Sequence, residues 1–182
     1  MTDLSGKRVA FVATDGFEDS ELTSPWQAVT DAGATAVLIA PEPGVIKGKN
    51  GHTQSVDAVT GDVDVADFHA LVLPGGVVNA DHLRMDESAV AFARGFFEQQ
   101  KPVAAICHAA WTLIEAKVVE GRTLTSYPSL QTDLRNAGAT WVDEEVVVED
   151  GLVTSRTPDD LPAFNAKVVE EIAEGRHSAQ SA

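Results

Sequence analysis

The stretch Val103-Ala104-Ala105-Ile106-Cys107-His108-Ala109-Ala110-Trp111 decides how this chain is read. A short apolar run ends at the only cysteine, and helix-forming sequence follows at once. Strands buried on both faces read as unbroken apolar runs, and a strand passing directly into a helix is the unit of a parallel sheet. The thiol falls on the bend, next to the positive end of the following helix. That field favours thiolate over thiol, which is how a cysteine becomes a nucleophile. A buried core cysteine is the alternative, because free cysteine is among the most buried residue types.

Working outward, residues 7–13, 35–40, 70–73 and 152–155 are further apolar runs and read as strands. Ser24-Pro25 has the pattern of an N-cap followed by proline at the first helical position, so a helix is expected from there to Ala32, stopped by Gly33. Residues 41–61, rich in Gly and Pro, read as a hairpin or a loop with short strands. Helices are expected over 86–99, 109–117, 129–137 and 159–174, and short strands over 124–126, 140–142 and 146–149. Glu149-Asp150-Gly151 reads as a hairpin turn. Residues 175–182 read as a frayed polar tail. Strands alternating with helices predict one α/β domain over residues 1–182, with a core of about 7–174 and a mostly parallel sheet covered on both faces.

Length and composition agree with one globular domain: 182 residues, 44% apolar and 23% charged. No apolar run approaches the ~20 residues that span a bilayer. The polar start lacks a signal-peptide core, and one cysteine cannot form an internal disulfide, so a cytoplasmic protein is expected. The net charge of −15 repels phosphate backbones and anionic lipid, which argues against nucleic-acid and membrane partners. The five histidines are scattered and no Cys-x-x-Cys or His-x-x-x-His spacing occurs, so neither a metal site nor a cofactor is expected.

In a parallel sheet the functional loops lie beyond the carboxyl ends of the strands. Three unusual segments fall there: Thr14-Asp15-Gly16-Phe17-Glu18-Asp19, Pro74-Gly75-Gly76 and Cys107-His108. Their convergence favours Cys107 as a nucleophile over a core cysteine. Glu18 is expected to face the thiol, either donating a hydrogen bond as a neutral acid or shuttling protons; a solvated surface acid is the alternative. His108 adjoins the nucleophile, but neighbours on a turn usually point apart. It serves catalysis if an acid such as Asp81 orients it, and otherwise caps the helix or bonds to backbone. The amides of Gly75 and Gly76, with the amide after Cys107, are candidate oxyanion donors. Ala109, Tyr127 and Arg156 are expected around the pocket. Arg84 and Trp111 are weaker candidates, and core packing is the default for the aromatic residues.

Taken in order, these segments resemble the PfpI-like intracellular protease/amidase family, within the DJ/PfpI superfamily of glutamine-amidotransferase-like folds. The resemblance runs from about Lys7 to Glu170. It is carried by Gly16-Phe17-Glu18-Asp19-Ser20-Glu21-Leu22, Leu73-Pro74-Gly75-Gly76 with Asn79-Ala80-Asp81-His82-Leu83-Arg84, Ala105-Ile106-Cys107-His108, Thr125-Ser126-Tyr127-Pro128, and Val153-Thr154-Ser155-Arg156-Thr157-Pro158-Asp159-Asp160-Leu161. It implies a flavodoxin-like three-layer sandwich with Cys107 on a nucleophile elbow. It also implies a glutamate at Glu18 bonded to the cysteine, and His108 paired with an acid from a neighbouring subunit, for which Asp81 is the best match. Relatives form homodimers, and some form hexamers. One departure is Ala109-Ala110, where relatives usually carry Gly-Pro; the added methyl is expected to reshape the oxyanion region and narrow the pocket.

The resemblance implies several activities, and fold kinship alone does not choose among them. A glutaminase needs a His-x-Glu pair downstream of its cysteine, and the only histidine after His108 is His177 in the tail. The leading expectation is a stress-related, cysteine-dependent enzyme acting on methylglyoxal-type 2-oxoaldehydes or on their protein or nucleotide adducts. A cysteine peptidase is the second reading. The third is non-enzymatic, a redox sensor or holdase relying on an exposed, low-pKa thiol.

Overall fold

The computed structural model describes residues 2–182. Five parallel strands form its centre: β1 (Arg8–Val12), β2 (Thr35–Ala40), β6 (Ala70–Leu73), β7 (Val103–Ile106) and β11 (Leu152–Ser155). Their spatial order is β2-β1-β6-β7-β11. That is the flavodoxin order, reversing direction between β1 and β6. The short β5 (Ala58–Val59) extends one edge in parallel, and β10 (Val147–Glu149) closes the other as an antiparallel strand. The Gly/Pro-rich segment holds a separate hairpin of β3 (Val45–Lys47) and β4 (Thr53–Ser55). A small parallel pair, β8 (Thr123–Leu124) and β9 (Thr140–Trp141), lies outside the main sheet.

Alternate residues of each central strand point to opposite faces, and both faces are covered. Ala10, Val12, Leu71, Leu73, Val103 and Ala105 pack with Phe92, Phe96 and Leu113 from α3 (Glu87–Glu98) and α4 (Ala110–Glu115). Val9, Phe11, Leu38, Val72, Ala104 and Ile106 pack with Leu22, Val29, Phe164 and Val168 from α1 (Asp19–Asp31) and α6 (Leu161–Glu174). The result is the expected three-layer sandwich.

Three expectations need correction. Helix α1 begins at Asp19 rather than Ser24, with Pro25 inside it and Glu21 in its first turn. Proline lacks an N–H but its ring is tolerated early in a helix, so the Ser-Pro pattern marked a helix interior and not its start. A helix that was not anticipated, α2 (Val77–Leu83), follows Gly76 directly. The tail does not fray: Gln180 is buried, Gln100 Nε2 donates to the Ser178 carbonyl at 3.0 Å, and Arg122 donates to the Ser181 carbonyl at 2.6 Å. The short helix α5 (Gln131–Asn136) and α3 otherwise fall where the sequence places helices.

Candidate active site

The loops after β1, β6 and β7 meet at the carboxyl end of the sheet, beside the switch point. Their joint is polar and buried. Glu18 N donates to the Gly75 carbonyl at 3.3 Å, and Thr14 N donates to Asn79 Oδ1 at 2.7 Å. Asn79 Nδ2 in turn donates to the carbonyls of Pro74 (3.0 Å) and Gly75 (2.9 Å). Asn79, present in the motif that carries the resemblance but assigned no role there, thus ties two loops together. Its position on the unanticipated α2 explains the omission.

Cys107 ends β7 with φ 63°, a left-handed conformation that non-glycine residues seldom adopt. A strained residue of this kind persists only where its surroundings over-determine it, and such residues cluster at functional sites. The bend brings the neighbouring side chain back onto the sulfur: Cys107 Sγ lies 3.1 Å from His108 Nδ1. The general tendency of adjacent side chains to diverge is therefore overcome by the backbone angle. His108 is itself buried, stacked on Tyr127 (centroids 4.5 Å, planes 25° apart) and edge-on to Trp111 at 5.3 Å. Burial, with the positive charge of Lys49, lowers its pKa, so the ring is neutral at neutral pH.

The acid beside the thiol is Glu21, not Glu18. A methyl group placed on Gly75 would meet Glu21 Oε2 at 2.5 Å and Cys107 Cβ at 2.7 Å, so the carboxyl and the cysteine flank the same glycine. Gly75 N donates to Glu21 Oε2 at 2.7 Å, and Glu21 Oε1 has no hydrogen-bond partner among the described residues. Glu21 is fully buried, and burial pushes its carboxyl up to about 8. Glu18 instead pairs with Lys49 and accepts from Asn50 Nδ2 at 3.2 Å, on the hairpin side of the site. The expectation placed the acid on the loop at Glu18 and gave Glu21 no role; because the helix begins at Asp19, Glu18 is its extended N-cap while Glu21 lies in the first turn and is buried.

The expected exposed, low-pKa thiol is also overturned. Cys107 is 7% exposed. Burial pushes its thiol up to about 12, and the charge of Glu21 adds to this. The backbone N–H groups of Gly76 and His108 are aimed at the sulfur and act the other way. The helix that should have supplied a field is only a single 3-10 turn followed by the six residues of α4.

Gly76 needs to be glycine: φ is 91°, and a Cβ would lie 2.5 Å from the Gly16 carbonyl oxygen. The Ala109-Ala110 departure costs nothing in backbone terms, since both residues have ordinary right-handed helical angles. Asp81 is exposed on α2, and no ion pair joins it to His108 within the chain. Arg156 is held by Asp160, through contacts of 2.9 Å, and by Asp143 at 2.8 Å. That fixes the turn after β11 and gives Arg156 a structural partner set. Arg84 pairs with Glu115 at 2.7 Å and lies over Trp111.

The model of the DJ-1/PfpI family matches residues 7–171. The chain belongs to the DJ-1/PfpI family. It is 50% identical to General stress protein 18 of Bacillus subtilis, covering 88% of this chain and 94% of that protein. It is 47% identical to Protein/nucleic acid deglycase 2 of Escherichia coli, covering 90% of this chain and 96% of the relative. Among solved structures, a two-domain protein of Anabaena variabilis with DJ-1/ThiJ/PfpI-like and ferritin-like domains superposes with a TM-score of 0.90 at 32% identity. That match covers 97% of this chain and 50% of the two-domain chain. Among the described residues, no helix is long and apolar enough to cross a membrane.

Proposed function

We propose that this protein is a stress-related, cysteine-dependent enzyme acting on 2-oxoaldehydes such as methylglyoxal, or on their early adducts with amines. The observation that carries the reading is one constellation. A thiol on a strained turn stands 3.1 Å from a neutral imidazole, next to a buried carboxyl whose pKa of about 8 suits proton transfer near neutral pH. In these terms the Cys107 turn is a nucleophile elbow.

As the Cys107 sulfur bonds to the aldehyde carbon, its proton passes to His108 Nδ1 and then to the former carbonyl oxygen, giving a hemithioacetal. Glu21, in its ionised form, takes the hydrogen from that carbon as a proton and delivers it to the adjacent ketone carbon, while the hydroxyl proton of the hemithioacetal passes to the former ketone oxygen. The sulfur then holds a 2-hydroxyacyl group as a thioester. Water cleaves the thioester, freeing the thiol and a 2-hydroxy acid, lactate in the case of methylglyoxal. In a hemiaminal adduct the sulfur instead displaces the amine from that carbon: the C–N bond breaks, the amine leaves with the thiol proton carried by His108, and the same hemithioacetal results. The N–H groups of Gly76 and His108 stabilise negative charge at this centre. Names of relatives, a deglycase and a general stress protein, support this class of chemistry.

Peptide hydrolysis ranks second, because it needs an acid to orient His108 and Asp81 does not reach that ring within the chain. Homo-oligomerisation would change that. Val77, Val78 and Met85 are exposed around Asp81, an apolar surface suited to a second copy. A cytoplasmic location remains part of the proposal.

The test is methylglyoxal consumption with lactate quantified, using wild type, Cys107→Ala, Glu21→Gln and Glu18→Gln. Lactate formed by wild type, lost in the first two variants and retained in Glu18→Gln, is the expected result. Normal turnover by Cys107→Ala would sink the proposal.

A further inference from the structure

We propose that Glu171, Glu174 and His177 bind a divalent transition-metal ion of the zinc type, which fastens the C-terminal tail to α6 at the end of the sheet opposite Cys107. Glu171 and Glu174 are three residues apart on α6 and share a face. The helix ends at Glu174, and the chain turns at Gly175, so His177 folds back instead of continuing the helical path. His177 N donates to the Gln100 carbonyl at 2.9 Å, which fixes the return. One ligand atom from each of the three residues lies within 4.8 Å of the other two.

The spacing at the buried end of this cluster suits a shared ion. Tetrahedral zinc bonds of about 2.0–2.1 Å put neighbouring ligand atoms about 3.3 Å apart. Glu171 Oε2 and His177 Nε2 are 3.1 Å apart. Both atoms are buried; they pair with each other as ions only when the imidazole is protonated, and neither makes a hydrogen bond with any of the described residues. A buried polar atom without a partner is costly, and an ion bound by both would satisfy them together.

A second buried side chain without a partner lies on the same tail. Gln180 is 2% exposed, and neither atom of its amide has a partner among the described residues. A methyl on Gly151 would meet His177 Cδ2 at 2.7 Å and Gln180 Oε1 at 3.1 Å, so the imidazole and the amide oxygen flank one backbone point. Gln180 thereby keeps an unpartnered amide oxygen near the Cδ2 edge of the ring, the edge that also carries Nε2. An imidazole with carboxylates selects a zinc-like ion over Mg²⁺ or Ca²⁺, which prefer all-oxygen sites.

The site was invisible to spacing rules because Gly175 lies between its helical and tail ligands. Its role is a staple and not catalysis, so its readouts are binding and stability.

The experiment uses the full chain carrying Cys107→Ala, so that the thiol cannot compete for metal. Zn²⁺ is titrated calorimetrically, and melting is followed with Zn²⁺ or Mg²⁺. One zinc per chain is expected, bound about tenfold or more weakly by His177→Ala and by Glu174→Gln. Zinc should raise the melting temperature of the parent but not of the variants, and Mg²⁺ should not. Glu174 is exposed, so its variant keeps the test open if His177→Ala fails to fold. Absence of micromolar binding, or equal affinity in parent and Glu174→Gln, would overturn the proposal.

Discussion

Replacing Glu21 by Gln should change how stability depends on pH, by an amount the burial of this side chain sets. The unfolded carboxyl titrates near 4.5, whereas in the folded protein burial pushes it up to about 8. Below the lower value both states hold the proton and nothing is lost. Between the two values the unfolded chain has released it while the folded protein retains it. The folded state then binds more protons, so its stability falls as pH rises. Each pH unit of this window weighs about 1.4 kcal/mol against folding, or about 5 kcal/mol over the whole of it. Glu21 is fully buried, so solvent does not screen the effect. Glutamine keeps an oxygen for the Gly75 N–H and carries no proton to lose. Urea denaturation of wild type and Glu21→Gln across the window should give a stability difference that moves in favour of the variant by about 1.4 kcal/mol per pH unit. All other titrating groups are common to both proteins and cancel. Parallel curves would refute the reasoning, and with it the assignment of Glu21 as a neutral acid beside the thiol.

Three further outcomes follow from the site's packing. Gly75→Ala places a methyl against Glu21, Cys107 and the Ile106 carbonyl, the last of which is backbone and cannot swing away, so thermal denaturation should show a loss of about 3 kcal/mol. Tyr127→Ala removes the ring stacked on His108 and should cost about 1 kcal/mol. It also admits water to the imidazole, so the lowered His108 pKa should rise toward the ordinary value in an NMR titration; an unmoved pKa would contradict burial as its cause. Arg156→Ala strands the buried Asp160 carboxylate and should cost about 2 kcal/mol in chemical denaturation, with turnover per folded molecule unchanged. A large fall in turnover there would return Arg156 to the pocket.

The order of the main strands, the closing helix and the cysteine at a strand-to-helix bend were all legible in the sequence. Each follows from local physics: apolar runs buried on both faces, turn residues between them, and a single thiol where one run stops. The loops that converge were legible for the same reason, since a parallel sheet sends its carboxyl-end loops to one side. What sequence could not resolve was which acid, which histidine geometry and which tail contacts result. Glu18 was the acid expected, and Glu21 emerges only once α1 is known to begin at Asp19, which leaves Glu18 as an extended N-cap and puts Glu21 in the buried first turn. His108 reaches the sulfur only through the positive φ of Cys107, an angle that the surrounding packing imposes. The thiol's pKa depends on burial, which raises it where a helix end alone would lower it. His177 meets Glu171 and Glu174 only because the chain folds back after Gly175. Local sequence thus determined most of the elements and their succession along the chain, though not α2 or the start of α1, while orientation, burial and contacts between distant segments were decided by the tertiary structure, because those depend on what lies on the other side of each side chain.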